Sequence, residues 1–340
     1  MNSIFYLLLT TVILLMLGAG CSKKTSSSVA GVETSNDSLS EIDIDTDVEI
    51  VENCSDGWCV IPAATYLFGS SPDKPCRAAS AETQVLVTLT HPFEILSTEV
   101  TQKMWTDMGY TNPVLEKYIC AECPVAAVNW YETLAFCNAL SEQKGLESCY
   151  DLSCCSGDPG VRTCDDVSCQ NDYHCDCDVY KYENVYECPG YRLPTVAEWE
   201  WAARAGTTDD TYNGQPDLTE FDNCDPNPII NEISWNCSNT DTLMEVAQLK
   251  KNGFGLYDMV GNVEEFCSDP YQNVALGGDA EHITDPHGYV EESTGRATKG
   301  PGFASHTCTQ TTSRGGGRSI DARFASTGFR PVRTLLDKSK

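Results

Sequence analysis

Positively charged residues are scarce in this sequence. Its 340 residues include 22 Lys and Arg against 50 Asp and Glu, which gives a formal net charge of −28. Because nucleic acids and anionic lipid headgroups attract basic surfaces, this balance excludes nucleic acid as a partner. Histidine is also scarce: the chain has 5, and none is paired at the helical spacing of metal ligands. That scarcity argues against a metal centre built from clustered histidines.

Cysteine, by contrast, is abundant. The chain has 19 cysteines, and 41% of its residues are hydrophobic, which is enough for a large core. In a reducing cytosol so many cysteines would indicate metal sites, whereas in an oxidising compartment they indicate disulfides. The composition therefore predicts an acidic, exported, disulfide-rich globular protein.

The N-terminus has the pattern of an export signal. Residues 4–17 are almost entirely apolar, which is shorter than the roughly 20 residues that span a bilayer. Small residues 18–20 and then Cys21 follow this run, as in a signal peptide with its cleavage point. Small residues directly before a cysteine resemble a bacterial lipoprotein signal. The resemblance implies a signal peptide over 1–20, lipid on Cys21, and a membrane lipoprotein that faces the periplasm or the cell surface; ordinary secretion and a membrane anchor are the alternatives.

Residues 21–53 are predicted to be a flexible tether. Serines cluster at 26–28, and acidic residues recur over 41–52 with few apolar residues that could form a core. Asp43, Asp45 and Asp47 alternate as in a calcium loop, but the glycine and distal glutamate of such a loop are missing. We therefore interpret the segment as a solvated linker.

The segment 54–334 has the pattern of a folded body with short elements. The predicted strands are 59–61, 65–68 and 83–89. Helices are predicted after Thr98 or Thr101, over 130–145 and over 195–205, with Thr195 and Glu198 as a capping box for the last. Loops rich in Gly, Asn, Asp and Pro make up the rest, so the pattern predicts an α+β fold with little regular secondary structure.

A cysteine-rich insertion lies between the second and third helices, over 149–188. Its cysteines are Cys149, Cys154, Cys155, Cys164, Cys169, Cys175, Cys177 and Cys188. The segment is too polar to be held by apolar burial, so disulfides are expected to stabilise it. His174, Cys175 and Cys177 could instead bind a metal, but the paired Cys-x-x-Cys spacing of a zinc site is missing here. Cys120 and Cys123 have redox-motif spacing without a redox-type context, which favours a local or separately paired structural disulfide.

Several sequence blocks occur in the order found in one enzyme family. The most specific read RLPTVAEWEWAARAG at 192–206 and NGFGLYDMVGNV at 252–263. Further blocks are 61–70, 93–101, 124–130 and 328–330. Together they resemble the formylglycine-generating enzyme, or sulfatase-modifying factor, family. The resemblance implies a C-type-lectin-like fold over 54–334. It identifies the fold rather than the chemistry, because Trp199, Trp201, Phe254, Leu256 and Tyr257 are expected to be core residues.

The family's copper cysteines are replaced in this sequence. The family oxidises a substrate cysteine to formylglycine with copper(I) held by two cysteine thiolates, which are soft ligands suited to that ion. The corresponding positions are Ser305 and Gln310, so copper binding is not expected. Cys308 lies nearby and is expected to be half of a structural disulfide. Under the alternative of a divergent enzyme, Cys308 and His306 would be its weak catalytic candidates.

Calcium is the cofactor that the resemblance supports. The family ligands fall on the side chains of Asp258 and Glu265 and on the backbone carbonyls of Gly261 and Val263. Hard oxygen donors in a tight glycine-containing turn are the ligands that calcium prefers. The alternative is that Asp258 and Glu265 only stabilise turns.

Three functions remain open from the sequence. The first is a non-catalytic module that binds a peptide or glycan in the family's substrate groove, because the copper pair is replaced. The second is a divergent enzyme of the formylglycine-generating family. The third is a structural surface protein stiffened by disulfides and calcium. The sequence does not determine the ligand, the disulfide pairing or the oligomeric state.

Overall fold

The computed structural model describes residues 48–78, 82–161, 173–218, 223–271, 276, 281–287 and 293–336. The predicted signal peptide, the lipidation site Cys21 and most of the tether lie outside the described residues. Cys164 and Cys169 of the insertion also lie outside them. None of the helices found in the described ranges is long and apolar enough to cross a membrane.

The described residues form short strands and short helices, in agreement with the α+β prediction. Helices α1 to α4 are Gln102–Asp107, Trp130–Gln143, Val196–Arg204 and Pro228–Asn231. Strands β1 to β7 are Cys54–Ser55, Trp58–Ile61, Ala64–Phe68, Val85–Leu89, Phe93–Leu96, Cys155–Ser156 and His174–Cys175. Strands β8 to β13 are Glu264–Pro270, His282–Thr284, Gly295–Lys299, Gly315–Ser319, Thr327–Gly328 and Val332–Thr334. Single 3-10 turns lie at Glu116–Tyr118, Val185–Glu187 and Thr307–Thr309.

The strands form small sheets that join distant parts of the chain. One sheet has the order β1-β2-β5-β13 and a second the order β11-β10-β8-β12. In the first sheet β13 pairs antiparallel with β5, and in the second β12 pairs parallel with β8. The C-terminal segment that contains β12 and β13 therefore connects the two sheets. A third sheet has the order β3-β4-β9.

The predicted capping patterns fix the starts of two helices. Thr195 and Glu198 form the predicted capping box of α3, and Asn129 with Glu132 forms another at α2. Each cap side chain accepts a hydrogen bond from a backbone N–H that the first helical turn leaves without a partner. Helix α3 ends at Ala205, which adopts a left-handed conformation with φ of 45°.

Aromatic side chains fill two core clusters. Helix α2 lies in the first with Trp105, Trp130 and Phe329, and helix α3 lies in the second with Trp199 and Phe254. Trp199, Trp201, Phe254 and Leu256 are buried as predicted, whereas Tyr257 is only half-buried. Helix α3 packs on the sheet that contains β8 and β10. Its charged residues therefore lie in the interior, between the helix and the sheet.

Disulfides hold the insertion and the loops around the body. The pairs are Cys54–Cys59, Cys76–Cys308, Cys120–Cys123, Cys149–Cys188, Cys154–Cys177, Cys155–Cys175 and Cys224–Cys237. The expectation of disulfides rather than a metal in the insertion is confirmed for its described cysteines. Cys149–Cys188 closes the insertion at its base, so the polar segment between them is tied to the body at both ends.

Two of the cysteines that the structure describes carry free thiols. Cys137 on α2 and Cys267 on β8 are both fully buried in the core. Burial raises the pKa of both thiols well above the ordinary value, so they behave as small apolar core residues. If Cys21 carries lipid, 18 of the 19 cysteines remain, an even number that would allow all of them to form disulfides. Cys137 and Cys267 do not form one.

The last residues of the predicted tether contact the folded body. Val48 packs against the second core cluster, and the Glu52 carboxylate lies 2.7 Å from the Lys251 ammonium. The carbonyl of Asn53 accepts a hydrogen bond from the Val60 N–H at 2.9 Å. The folded domain therefore begins at or before residue 48 rather than at 54.

Candidate functional site

The two copper positions of the family hold a locked amide and a hydroxyl. Gln310 is fully buried; its Oε1 accepts a hydrogen bond from the Ser234 hydroxyl at 2.7 Å. Its Nε2 donates to the backbone carbonyl of Ser305 at 3.3 Å, which brings the two copper positions together. The Ser305 carbonyl also accepts from the Cys237 N–H at 3.3 Å. Neutral oxygen and nitrogen groups thus occupy the place where soft thiolates would hold copper(I).

Cys308 does not offer a thiolate either. It is buried and forms a disulfide with Cys76, a residue 232 positions earlier in the chain. The expectation that Cys308 is half of a structural disulfide is confirmed. His306 clusters with the sulfurs of Cys224 and Cys237 rather than with Cys308, and those sulfurs are bonded to each other. Cys308 and His306 therefore do not form the catalytic or metal-binding pair considered from the sequence.

A groove with both apolar and polar lining residues lies near the locked amide; its polar ones are Lys117, Thr242, Glu245 and Gln248. It has a volume of about 660 Å³, and we call it the Trp235 groove. Its lining residues include Tyr118, Ile119, Trp235, Leu243, Met244 and Leu249. Trp235 follows Ser234, the partner of Gln310, and the ring of Tyr118 lies 6.4 Å from that of Phe303. The Trp235 groove is therefore adjacent in the chain to Ser234, the residue that holds Gln310.

Two features give the Trp235 groove the properties of a binding surface. The side chain of Ile119 is 61% exposed, although it is large and apolar. The indole Nε1 of Trp235 is buried and has no hydrogen-bond acceptor among the described residues. A ligand could cover the Ile119 side chain, whereas Trp235 Nε1 could donate to a ligand only after the groups that bury it move.

Backbone contacts hold the walls of the Trp235 groove in place. The side chain of Asn262 accepts from the Met244 N–H at 3.1 Å and donates to the Met244 carbonyl at 3.2 Å. The Cys120–Cys123 disulfide lies on the opposite wall, and the Gln102 amide donates to the Tyr118 carbonyl at 3.0 Å. The groove is thus largely preformed, which reduces the entropy lost on binding.

The predicted calcium loop lies directly behind this wall. Gly261 has a φ of 92°, and a Cβ there would lie 2.4 Å from the Ser234 hydroxyl, so only glycine fits. The Asn262 N–H donates to the Trp235 carbonyl at 2.9 Å, and the Asn262 carbonyl accepts from the Phe303 N–H at 2.8 Å. The conformation of loop 258–263 therefore sets the position of Trp235.

Asp258 is a buried carboxylate in a strained backbone conformation. It is 3% exposed and has a φ of 54°. Its Oδ2 accepts a hydrogen bond from the Ala247 N–H at 2.7 Å. Burial raises the pKa of Asp258 to about 6, while the Ala247 N–H and the Arg330 guanidinium act in the opposite direction.

Glu265 is engaged by protein groups. Its two oxygens accept from Nε and a terminal nitrogen of Arg330, both at 2.7 Å, and Oε2 also accepts from the Trp199 indole at 2.7 Å. This bidentate pair is fully buried. The side chain that the resemblance assigns to calcium is therefore already charge-paired in this structure.

Glu99 is a buried carboxylate to which the sequence patterns gave no role. It is fully buried, and neither of its oxygens has a hydrogen-bond partner within the described part of the chain. Burial raises its pKa well above the ordinary range, Asp258 adds to that effect, and Arg330 opposes it. Glu99, Asp258 and Glu265 are three buried carboxylates beside one guanidinium, an environment that a divalent cation would neutralise. The donor set of hard oxygens fits calcium.

The three carboxylates do not converge tightly. Among the described His, Cys, Asp and Glu side chains, Cys224, Cys237 and His306 form a group whose possible ligand atoms all lie within 4.8 Å of one another. Glu99, Asp258 and Glu265 do not form such a group. A cation near Asp258 would therefore draw on backbone carbonyls as well as on side chains. Calcium tolerates such mixed, irregular oxygen sets.

Comparison with known proteins identifies the family. The model of the sulfatase-modifying factor enzyme 1-like domain matches residues 47–335. The chain belongs to the sulfatase-modifying factor family. It is 31% identical over 251 residues to the chaperone protein LppX of Paenibacillus barcinonensis, covering 71% of this chain and 80% of that protein. It is 35% identical over 149 residues to the formylglycine-generating enzyme of Thermomonospora curvata, covering 42% of this chain and 48% of that enzyme.

A solved structure agrees with the fold. Treponema denticola variable protein 1 matches with a TM-score of 0.60 and 27% identity, covering 82% of this chain and 95% of that chain. The predicted C-type-lectin-like fold of the sulfatase-modifying factor family is thus confirmed. The disulfides further indicate that this family member is exported, because structural disulfides persist in oxidising compartments.

The structure brings together only part of the predicted site. The Gln310 side chain donates to the Ser305 carbonyl, and Arg330, which pairs with Glu265, acts to lower the pKa of Asp258. Glu99 and the Trp235 groove were missed. The only sequence signal for Glu99 was a charged residue within the apolar block 93–101, which is also typical of a surface turn.

Proposed function

We propose that this member of the sulfatase-modifying factor family is a non-catalytic module that binds extended apolar peptide segments in the Trp235 groove. The observation that carries the proposal is the buried Gln310 amide, whose hydrogen bonds to Ser234 and Ser305 fill the copper position. Without a thiolate pair the fold lacks its family's oxidant-activating ligands. The Trp235 groove, by contrast, is open and offers apolar side chains beside polar ones.

The lining of the Trp235 groove favours a peptide over a glycan. Aliphatic side chains and Met244 contact apolar side chains well, and methionine adapts to different shapes. The similarity to a protein named as a chaperone also supports binding of polypeptide segments.

Lipid on Cys21 belongs to the same proposal. A lipid anchor would hold the domain at a membrane surface, where exported chains emerge before they fold. Labelling with a fatty acid analogue should modify the wild-type protein and not a Cys21→Ser variant. Equal labelling of both proteins would refute this part of the proposal.

The peptide proposal is tested by fluorescence anisotropy. The probe is a fluorescein-labelled peptide rich in leucine and phenylalanine, with a serine- and glycine-rich peptide of equal length for comparison. Ile119→Asp should weaken binding about tenfold or more, because covering an isoleucine contributes about 1.5–3 kcal/mol and a charge would be desolvated. The matched control is Leu336→Asp, an exposed apolar residue outside the groove that should not affect binding.

The outcomes of that titration separate the functions. Binding of the apolar peptide that Ile119→Asp weakens supports the proposal. No binding of either peptide, or equal binding by wild type and Ile119→Asp, would overturn it. Because Ile119 is exposed, its substitution should leave the melting temperature unchanged.

We also propose that calcium binds at the loop of Asp258, with the Gly261 and Val263 carbonyls and with Glu265 as the family pattern assigns them. Buried carboxylates and the strained turn support this assignment. The bound ion would stabilise the native state alone, so removal with a chelator should lower the melting temperature. An unchanged melting temperature in chelator would refute the calcium assignment.

A further inference from the structure

We propose that Glu99 supplies a carboxylate ligand to this cation, a role that the family's ligand pattern does not include. The inference rests on the proposed calcium site and deepens it. It also states what the ion does in the fold: it joins the turn before α1 to loop 258–263, which forms the back of the Trp235 groove.

The first argument is burial without a partner. Glu99 is fully buried, yet neither of its oxygens accepts a hydrogen bond from any described residue. A buried carboxylate normally recovers its lost hydration through hydrogen bonds or ion pairs. A cation ligated by these oxygens would supply the missing interaction.

The second argument is the position of Glu99 in the chain. The Tyr257 N–H donates to the Ser97 carbonyl at 2.8 Å, and the Val100 N–H donates to the Phe329 carbonyl at 3.0 Å. These contacts fix residues 97–100 against the residue that precedes Asp258. Asp258 also raises the pKa of Glu99, in agreement with this proximity of the two chain segments.

The third argument is that Arg330 directs its hydrogen bonds to Glu265 and to backbone carbonyls, and none of them reaches Glu99. Its Nε and one terminal nitrogen bind Glu265, and that terminal nitrogen also donates to the Tyr257 carbonyl at 3.0 Å. The other terminal nitrogen donates to the Leu96 carbonyl at 3.3 Å. One guanidinium thus neutralises Glu265 but not Glu99 and Asp258, and a bound divalent cation would balance the two negative charges that these carboxylates carry once ionised.

Calcium is the divalent cation that this environment favours. The oxygens come from carboxylates and backbone carbonyls of separate segments, an irregular set that suits calcium better than the strict octahedron of magnesium. The ion would hold loop 258–263 against residues 97–100. Through the hydrogen bond from Asn262 to the Trp235 carbonyl, it would also stabilise the wall of the Trp235 groove.

The test is a Glu99→Gln variant measured with and without calcium. Calcium titration of the full chain should show one site in the wild type and an affinity about tenfold or more weaker in the variant. In chelator the variant should be at least as stable as the wild type, because it lacks a buried uncompensated charge. In saturating calcium the wild type should be more stable than the variant. A purely structural glutamate would not show this reversal.

Glu94→Gln is the matched control. Glu94 lies on β5 a few residues earlier and pairs with Arg333 at 2.8 Å, outside the carboxylate cluster. Its substitution should leave calcium affinity unchanged. If Glu99→Gln does not fold, Glu99→Asp is the second variant. It keeps the carboxylate but shortens the side chain by one methylene, so it should still weaken calcium binding.

The outcomes distinguish this inference from the proposals on which it rests. A wild-type protein that binds no calcium refutes both the site and the role of Glu99. If the wild type binds calcium and Glu99→Gln binds it with the same affinity, only the role of Glu99 is refuted. The same conclusion follows from an unchanged affinity in Glu99→Asp if Glu99→Gln does not fold. Peptide binding is measured separately and is not decided by either result.

Discussion

Replacing Glu82 with glutamine should make the domain markedly less stable at neutral pH. Glu82 is 1% exposed, and its carboxylate accepts hydrogen bonds from the Ser70 hydroxyl at 2.8 Å and the Ala78 N–H at 3.0 Å. The Lys74 ammonium lies 3.2 Å away, and the Ser313 hydroxyl donates at 3.0 Å. Ser313 lies a few residues beyond the copper position at Gln310, so this ion pair anchors that segment.

The size of the effect follows from the pKa of Glu82. Burial acts to raise it, but Lys74, the Ala78 N–H and the Ser70 hydroxyl together lower it from 4.5 to about 2. A shift of that size corresponds to about 3 kcal/mol of stability, present above the ordinary pKa and lost as the pH falls toward 2. Burial also lowers the pKa of Lys74, which offsets part of this gain.

The assay is urea denaturation of wild type and Glu82→Gln at several pH values with disulfides intact. The difference in unfolding free energy should be about 3 kcal/mol at pH 7 and about 1 kcal/mol at pH 3. Glu232→Gln, which removes an exposed ion pair with Lys250, serves as the control and should change stability little. A pH-independent difference, or no difference at pH 7, would refute the reasoning.

Two further predictions concern the cysteines. Denaturation without reductant should make Cys137 and Cys267 available for alkylation, whereas the native protein protects both; alkylation of Cys308 would contradict its disulfide. The double variant Cys76→Ser/Cys308→Ser should lower the unfolding free energy by about 2–4 kcal/mol and leave peptide affinity unchanged. Loss of binding without loss of stability would indicate that Cys308 acts in the site itself.

Local sequence patterns predicted the helices well. The capping box of Thr195 and Glu198 and the glycine after α2 act within a few residues, so the chain near them contains the necessary information. The family blocks then indicated how these elements assemble, because a common fold constrains their order. The disulfide bonding of Cys308 was also predicted, since a single thiolate does not rebuild the two-cysteine copper site.

Properties that depend on distant segments were not predictable from the same patterns. The partner of Cys308 is 232 residues away, and the even number of remaining cysteines said nothing about which thiols are buried in the core. The environment of Glu99 is formed by three segments, around residues 97, 258 and 330, that meet only in the fold. Likewise, Gln310 is held by Ser234, a residue outside the sequence blocks that carry the family resemblance.

The start of the domain shows a similar limit. Composition placed the boundary of the acidic tether at residue 53, because charged residues continue to Glu52. That residue pairs with Lys251 on the body, so its charge marks a contact rather than a linker. Composition alone does not distinguish a solvated acid from one that has a partner far along the chain.

The most direct test of the central claim, that this domain has lost copper chemistry, is a copper(I) titration against a competing chelator. A Ser305→Cys/Gln310→Cys variant provides the comparison, because it restores a thiolate at each copper position. The wild type should show no tight copper(I) site, and the variant should gain one per chain. A stoichiometric copper(I) site in the wild type would contradict the account.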